Sequence, residues 1–165
     1  DARRQAKADG YVYAVKLVRG AYMEKARERA AEQGYPSPIQ PDKRATDRDY
    51  NAAVDYCLEH IDDVSFVAGT HNEETTEYMV RRMGELGLAN DHPRAHFSQL
   101  YGMGDNLSYV LGKHGYNVSK YVPYGPVRDV VPYLIRRAEE NSSAAGHISR
   151  ELEMLSRERK RRALA

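Results

Sequence analysis

The chain has no tryptophan, two phenylalanines and a single cysteine among its 165 residues. One thiol, Cys57, excludes an internal disulfide and fits a reducing compartment. Neither sign of charge is in excess: 25 Lys and Arg stand against 24 Asp and Glu, interspersed along the chain. A net charge of +1 offers no field for nucleic acid, and no nucleic-acid partner is expected. No apolar run approaches the ~18 residues of a transmembrane helix, and the opening DARRQAKADG lacks the apolar centre of a signal peptide. His92 and His96 have helical metal-ligand spacing, but Pro93 lies between them and no acidic cluster accompanies them, so no metal is expected. With 13 tyrosines, the aromatic surface of any site must come mainly from Tyr.

This length fits one domain with a real core. Asp1 to Asp9 is helix-prone and ends at Gly10. YVYAVKLV, from Tyr11, is β-branched and aromatic and reads as a buried strand. Lys16 interrupts its apolar run, which is costly unless the ammonium meets an anion or a polar cavity; a lysine snorkelling from the strand end is the plainer alternative. Gly20 permits a close backbone approach. Tyr22 to Gln33 reads as a helix, followed by a proline-rich loop to Lys43 and a helix capped at Thr46 or Asp47. On that helix Tyr50, Val54, Cys57, Leu58 and Ile61 form an apolar stripe. Further strands are expected from Val64 (VSFVAG), over Ala95–Gln99 and over Asn117–Val122, with helices over Glu73–Leu86 and Gly104–Gly112. Polar residues at the end of such a strand, here Thr70, His71 and Asn72, stand where barrel folds place ligands.

Lys120 to Asn141 is a strand, a Pro/Gly turn and a helix expected to begin near Asp129, with Pro132 in its first turn. Tyr133, Arg136, Arg137 and Glu140 then share one face. Guanidinium forks match carboxylates, although a solvated charged face would read the same way. Beyond a break at Gly146, a helix over about 147–163 ends in Lys160, Arg161 and Arg162.

KLVRGAY (Lys16–Tyr22), AGTHNE (Ala68–Glu73), QLYGM (Gln99–Met103), YVPYGP and YLIRRAEENSS occur in that order. Across about Tyr11–Ser143 the chain resembles the C-terminal half of the catalytic barrel of proline dehydrogenase, monofunctional type. The resemblance implies an α/β fold, about four βα units of a distorted (β/α)8 barrel, with the remaining strands outside these residues. It further implies FAD as cofactor and oxidation of L-proline to 1-pyrroline-5-carboxylate, with hydride transfer to FAD and onward to a membrane quinone. Lys16 stands where the family has a basic residue near flavin N5. Arg19, Gly20, Ala21 and Tyr22, with Thr70, His71 and Asn72, would hold the flavin. Arg136 and Arg137 would grip the proline carboxylate, while Tyr121, Tyr133 and Leu100 would wall the ring. Tyr101 is left without a role.

Two other readings stand beside this one: a barrel lyase or aldolase using Lys16 as a Schiff-base nucleophile, and a non-catalytic fragment or interaction module. Half a barrel leaves two strand edges exposed, which invites homo-oligomerisation or aggregation, and these residues alone are expected to bind FAD weakly or not at all. Bacterial cytoplasm, with peripheral contact at the inner membrane, and mitochondrial matrix both fit.

Overall fold

The computed structural model describes residues 2–142 and 145–163, and the side chains of 138–151 lie outside that description. The chain forms two units, Asp1–Val122 and Pro123–Ala165.

In the first unit, α1 (Ala2–Ala8) precedes β1 (Tyr13–Leu17), and α2 (Met23–Gln33) and α3 (Lys43–Glu59) follow it. Then come β2 (Val64–Gly69), α4 (Glu73–Glu85), β3 (Ala95–Leu100), α5 (Asp105–Lys113) and β4 (Val118–Tyr121). The four strands pair in parallel in the order β1-β2-β3-β4. Each strand lies beside the next one in sequence, and at least one helix separates each pair. A complete doubly wound sheet reverses its order at some point; the unreversed run of four matches a segment of a (β/α)8 barrel.

The register decides which side chains meet. Val15 pairs with Phe66 and Leu17 with Ala68; Phe66 and Ala68 pair with Ala95 and Phe97; Phe97 pairs with Val118. These residues pack against Tyr50, Val54, Cys57 and Leu58 of α3, Met79 and Met83 of α4, and Leu111 of α5. The core therefore lies between the helices and one face of the sheet. Side-chain alternation sends Lys16, Gly69, Leu100 and Tyr121 to the other face.

The second unit contains α6 (Val127–Ser142) and α7 (Ala145–Ala163). Three local readings need correction. Asp42, not Thr46 or Asp47, caps α3: its backbone is extended, and its carboxylate accepts from the Ala45 amide at 2.7 Å. Helix α6 begins at Val127, because the Pro126 carbonyl already accepts from the amides of Asp129 and Val130 at 2.9 and 3.0 Å. Pro132 thus lies in the second turn, where its missing N–H denies the Arg128 carbonyl its usual partner. Gly146 falls within α7 and does not interrupt it. Ser143 lies outside the described residues.

Burial pushes the Cys57 thiol up to about 11. At pH 8 almost none of it is thiolate, so a thiol-disulfide reagent should leave the folded protein unmodified and label it fully in guanidinium. Rapid labelling under native conditions would mean that α3 does not seal this face.

Candidate functional site

The face of the sheet opposite α3, α4 and α5 carries a small cluster at the strand C-termini. Lys16 of β1 lies across Gly69 of β2: a Cβ at Gly69 would come within 2.9 Å of Lys16 Cε and 3.2 Å of the Leu17 carbonyl. Because that methyl is absent, the lysine stem runs flat along the sheet. Its ammonium stands 4.8 Å from the centroid of the half-exposed Tyr121 ring on β4, a cation–π arrangement. Leu100 pairs directly with Tyr121 in the register. Lys16, Leu100 and Tyr121, far apart in sequence, thus belong to one face, which can present an ammonium, an aromatic ring and an aliphatic side chain to a flat ligand.

The loops after β1 and β2 border this face. The Tyr50 hydroxyl, on α3, donates to the Leu17 carbonyl at 3.0 Å and so holds the end of β1. Burial raises the Tyr50 phenol to about 12 against the opposing charge of Arg19, so it remains a donor. The Arg19 guanidinium sits 4.0 Å over the Tyr50 ring, donates to Thr75 Oγ1 at 2.8 Å and pairs with Asp47. The structure therefore engages Arg19 with α3 and α4. Gly20 has φ +76°, and Tyr22 is left-handed at φ 56°, ψ 28°, strained backbone for an aromatic residue. Thr70 is buried; its amide donates to the Ser98 carbonyl at 3.2 Å, and its hydroxyl accepts from the Asn72 amide at 3.1 Å. Asn72 caps α4 by accepting from the Thr75 amide at 2.8 Å. His71 Nε2 accepts from the Leu100 amide at 3.4 Å, which ties the loop after β2 to the end of β3.

In the second unit, Tyr133, Arg136 and Arg137 share α6, and the Arg137 guanidinium lies 5.3 Å from the Tyr133 ring centroid. The Glu140 side chain lies outside the described residues. On α7, hydrogen bonds from Arg161 and Arg162 hold the Glu158 carboxyl down to about 2, so two of the three clustered cations are already engaged.

Sequence reasoning gave no role to Gly69, Gln99 or Lys120. Lys120 Nζ donates to the Met103 carbonyl at 2.6 Å and pairs with Asp105 at 2.6 Å, tethering the loop after β3 to β4. A lysine and a glutamine on the core side of their strands were the available signals.

If the Arg19–Asp47 pair is the main brace between β1 and α3, Asp47→Asn should cost about 1–3 kcal/mol, since it strips a part-buried guanidinium of its anion. Arg19→Met should then cost less in the Asp47→Asn background than in wild type in a denaturant double-mutant cycle, the remainder coming from its Thr75 and Tyr50 contacts. Full additivity would refute the brace.

Residues 1–150 match the family model described as "Proline dehydrogenase". Human "Proline dehydrogenase 1, mitochondrial" is 48% identical over 91% of this chain and 26% of its own length. Xenopus laevis "Hydroxyproline dehydrogenase" is 45% identical over 95% of the chain and 34% of its own length. The chain thus spans about a quarter to a third of these relatives. Among solved structures, proline utilization A from Bdellovibrio bacteriovorus, inactivated by N-propargylglycine, superposes with TM-score 0.75 at 27% identity. That match covers 82% of this chain and 14% of the other. Motif order, an unreversed parallel half-barrel and these likenesses lead to one conclusion: the chain belongs to the proline dehydrogenase family.

Proposed function

We propose that the full-length protein oxidises L-proline to 1-pyrroline-5-carboxylate, the first step of proline catabolism, and that these residues supply part of its flavin and substrate sites. One observation carries the reading: Lys16, laid across Gly69 to the Tyr121 ring, shares a sheet face with Leu100 in a chain of this family. The residues fit a flavin in kind. They offer a flat face, one cation and one ring, with the Lys16 stem laid over the backbone at Gly69. FAD, when bound, supplies the two-electron acceptor that the side chains themselves lack.

Lys16 is proposed as the catalytic cation that stabilises negative charge developing beside it. Gly20, Ala21, Tyr22, Thr70, His71 and Asn72 are proposed to hold the cofactor, together with Lys16. Arg19 belongs to this group through the turn it anchors, since its guanidinium is engaged elsewhere. Arg136 and Arg137 are proposed to bind the substrate carboxylate bidentately. Leu100, Tyr121 and Tyr133 would exclude water from the ring. Relatives named for proline and for hydroxyproline both match, and the proposed contacts are to atoms the two substrates share. The family membership does not favour a Schiff-base role for Lys16.

A quinone is the proposed onward acceptor. Peripheral access to a lipid-held quinone is proposed, through surfaces such as the basic end of α7; no helix among the described residues is long and apolar enough to cross a membrane. The mitochondrial names of the human and Drosophila melanogaster relatives support a mitochondrial location in a eukaryote, with the matrix proposed; in a bacterium the cytoplasm is proposed.

The test uses the full-length protein. Anaerobic proline should bleach its flavin absorbance, and a protein without flavin would end this reading. Lys16→Ala should slow that bleaching roughly a hundredfold while changing proline affinity little. Arg136→Met and Arg137→Met should each weaken proline binding roughly ten- to a hundredfold at near-normal FAD content. Lys at either position should restore only part of the loss. An unchanged proline dissociation constant in the doubly substituted protein would remove the arginines from the site.

A further inference from the structure

We infer that Gln99 is a positioning residue: from the core side of β3 it locks the Thr70–Asn72 loop to the Leu100–Gly104 loop. The inference rests on the functional reading above only in giving those loops to flavin and substrate.

Gln99 is 1% exposed and lies on the same face of β3 as Phe97. A primary amide in that place is costly unless both of its ends are satisfied. Its Nε2 donates to the Thr70 carbonyl at 3.3 Å, and its Oε1 accepts from Ser108 Oγ at 2.8 Å. Ser108 belongs to the first turn of α5, and its hydroxyl also lies 3.1 Å from the Gly104 carbonyl. A hydroxyl has one proton, and the shorter contact assigns it to Gln99. The amide orientation follows, because a flipped group would set Oε1 against the Thr70 carbonyl oxygen.

Fixing the Thr70 carbonyl fixes the peptide plane that leads into His71. His71 in turn accepts from the Leu100 amide at 3.4 Å, the residue after Gln99. The packing at this junction is close. A Cβ on Gly104, which sits at φ +59°, would come within 3.0 Å of His71 Nδ1 and 3.3 Å of Gln99 Cγ. Lys120 holds the far side of the same loop through the Met103 carbonyl. Gln99 thus closes a short circuit of named contacts: Ser108 to Gln99, Gln99 to Thr70, and, one residue along each strand end, His71 to Leu100. Its side chain reaches one residue proposed to hold the cofactor, Thr70, and does so at the backbone carbonyl; its effect passes through backbone.

The identity of the residue matters at both ends. Methionine fills the space but neither donates nor accepts at this strength. Glutamate keeps an acceptor for Ser108 but opposes the Thr70 carbonyl. Of side chains this long, only glutamine does both in its ordinary protonation state at neutral pH.

The experiment compares wild type, Gln99→Met, Gln99→Glu and Ser108→Ala in the full-length protein. In flavin-free protein, Gln99→Met should speed amide hydrogen exchange roughly three- to tenfold in Thr70–Asn72 and Leu100–Gly104, leaving Val64–Ala68 protected. Ser108→Ala, the mildest change, should move the same segments by less, and the double variant should exceed Gln99→Met only slightly. In flavin-loaded protein, Gln99→Met and Gln99→Glu should shift the visible flavin spectrum and raise the proline dissociation constant roughly three- to tenfold. A merely structural glutamine would lower the melting temperature and raise exchange evenly through the sheet, with spectrum and proline affinity as in wild type. That result overturns the inference. If Gln99→Met does not fold, wild-type exchange in both loops of Ser108→Ala overturns it equally. A wild type that binds no flavin would sink the functional reading instead, while the exchange measurements, which need no flavin, still decide whether Gln99 couples the loops.

Discussion

Everything described for the first unit depends on in-register parallel pairing. Four strands in sequence order bring every second side chain to one face, and that face is sealed by α3, α4 and α5. The remaining side chains have no share in that core and can carry chemistry instead. A one-residue slip of β1 against β2 would bury Lys16 among Phe66 and Met79 and expose Val15 and Leu17. The stability of the core is thus what keeps the ammonium on the open face. Phe66, Phe97, Met79 and Val54 are all fully buried, and their collective burial far outweighs any single polar contact at the site.

The polar contacts do a different job. Tyr50 and Arg19 tie the end of β1 to α3; Asn72 and Thr75 order the start of α4; Gln99, Ser108 and Lys120 hold the loop after β3. Tyr50–Leu17 and Ser108–Gln99 join a helix to a strand, and the other braces join a loop to a helix or strand, so the loops inherit the rigidity of the elements. Gly69 contributes by lacking a side chain, since any Cβ there meets the Lys16 stem.

Much of this could be read from the sequence. The strand runs, the apolar stripe of α3 and the placement of Thr70, His71 and Asn72 at a strand end followed from periodicity and turn chemistry. Motif order carried the family and hence the half-barrel. Helix starts were less legible, for physical reasons. Asp42 directly follows Pro41 and precedes a polar helical turn, so no apolar period marked it, whereas Thr46 looked equally able to cap. Pro132 suggested a first turn, yet the helix tolerates it one turn further in. Arg19 illustrates the deeper limit. Its place in a ligand-side motif was visible, but its engagement with Asp47, Thr75 and Tyr50 depends on residues 28 to 56 positions away, which no local pattern reports.

The same register has a bearing on how the sheet assembles. Tyr13 pairs with Val64, 51 residues on; Phe66 pairs with Ala95, 29 on; Phe97 pairs with Val118, 21 on. Each pairing closes a shorter loop than the one before it. Closing the last costs about 0.8 kcal/mol less chain entropy than closing the first. Ranked by closure alone, β3 and β4 come together most cheaply, β2 adds to them, and β1 joins last, against the direction in which a ribosome delivers the strands. Lys16, on the last strand to dock, would then reach Tyr121 only once the other three strands are already aligned, so the pairing of ammonium and ring reports a completed sheet.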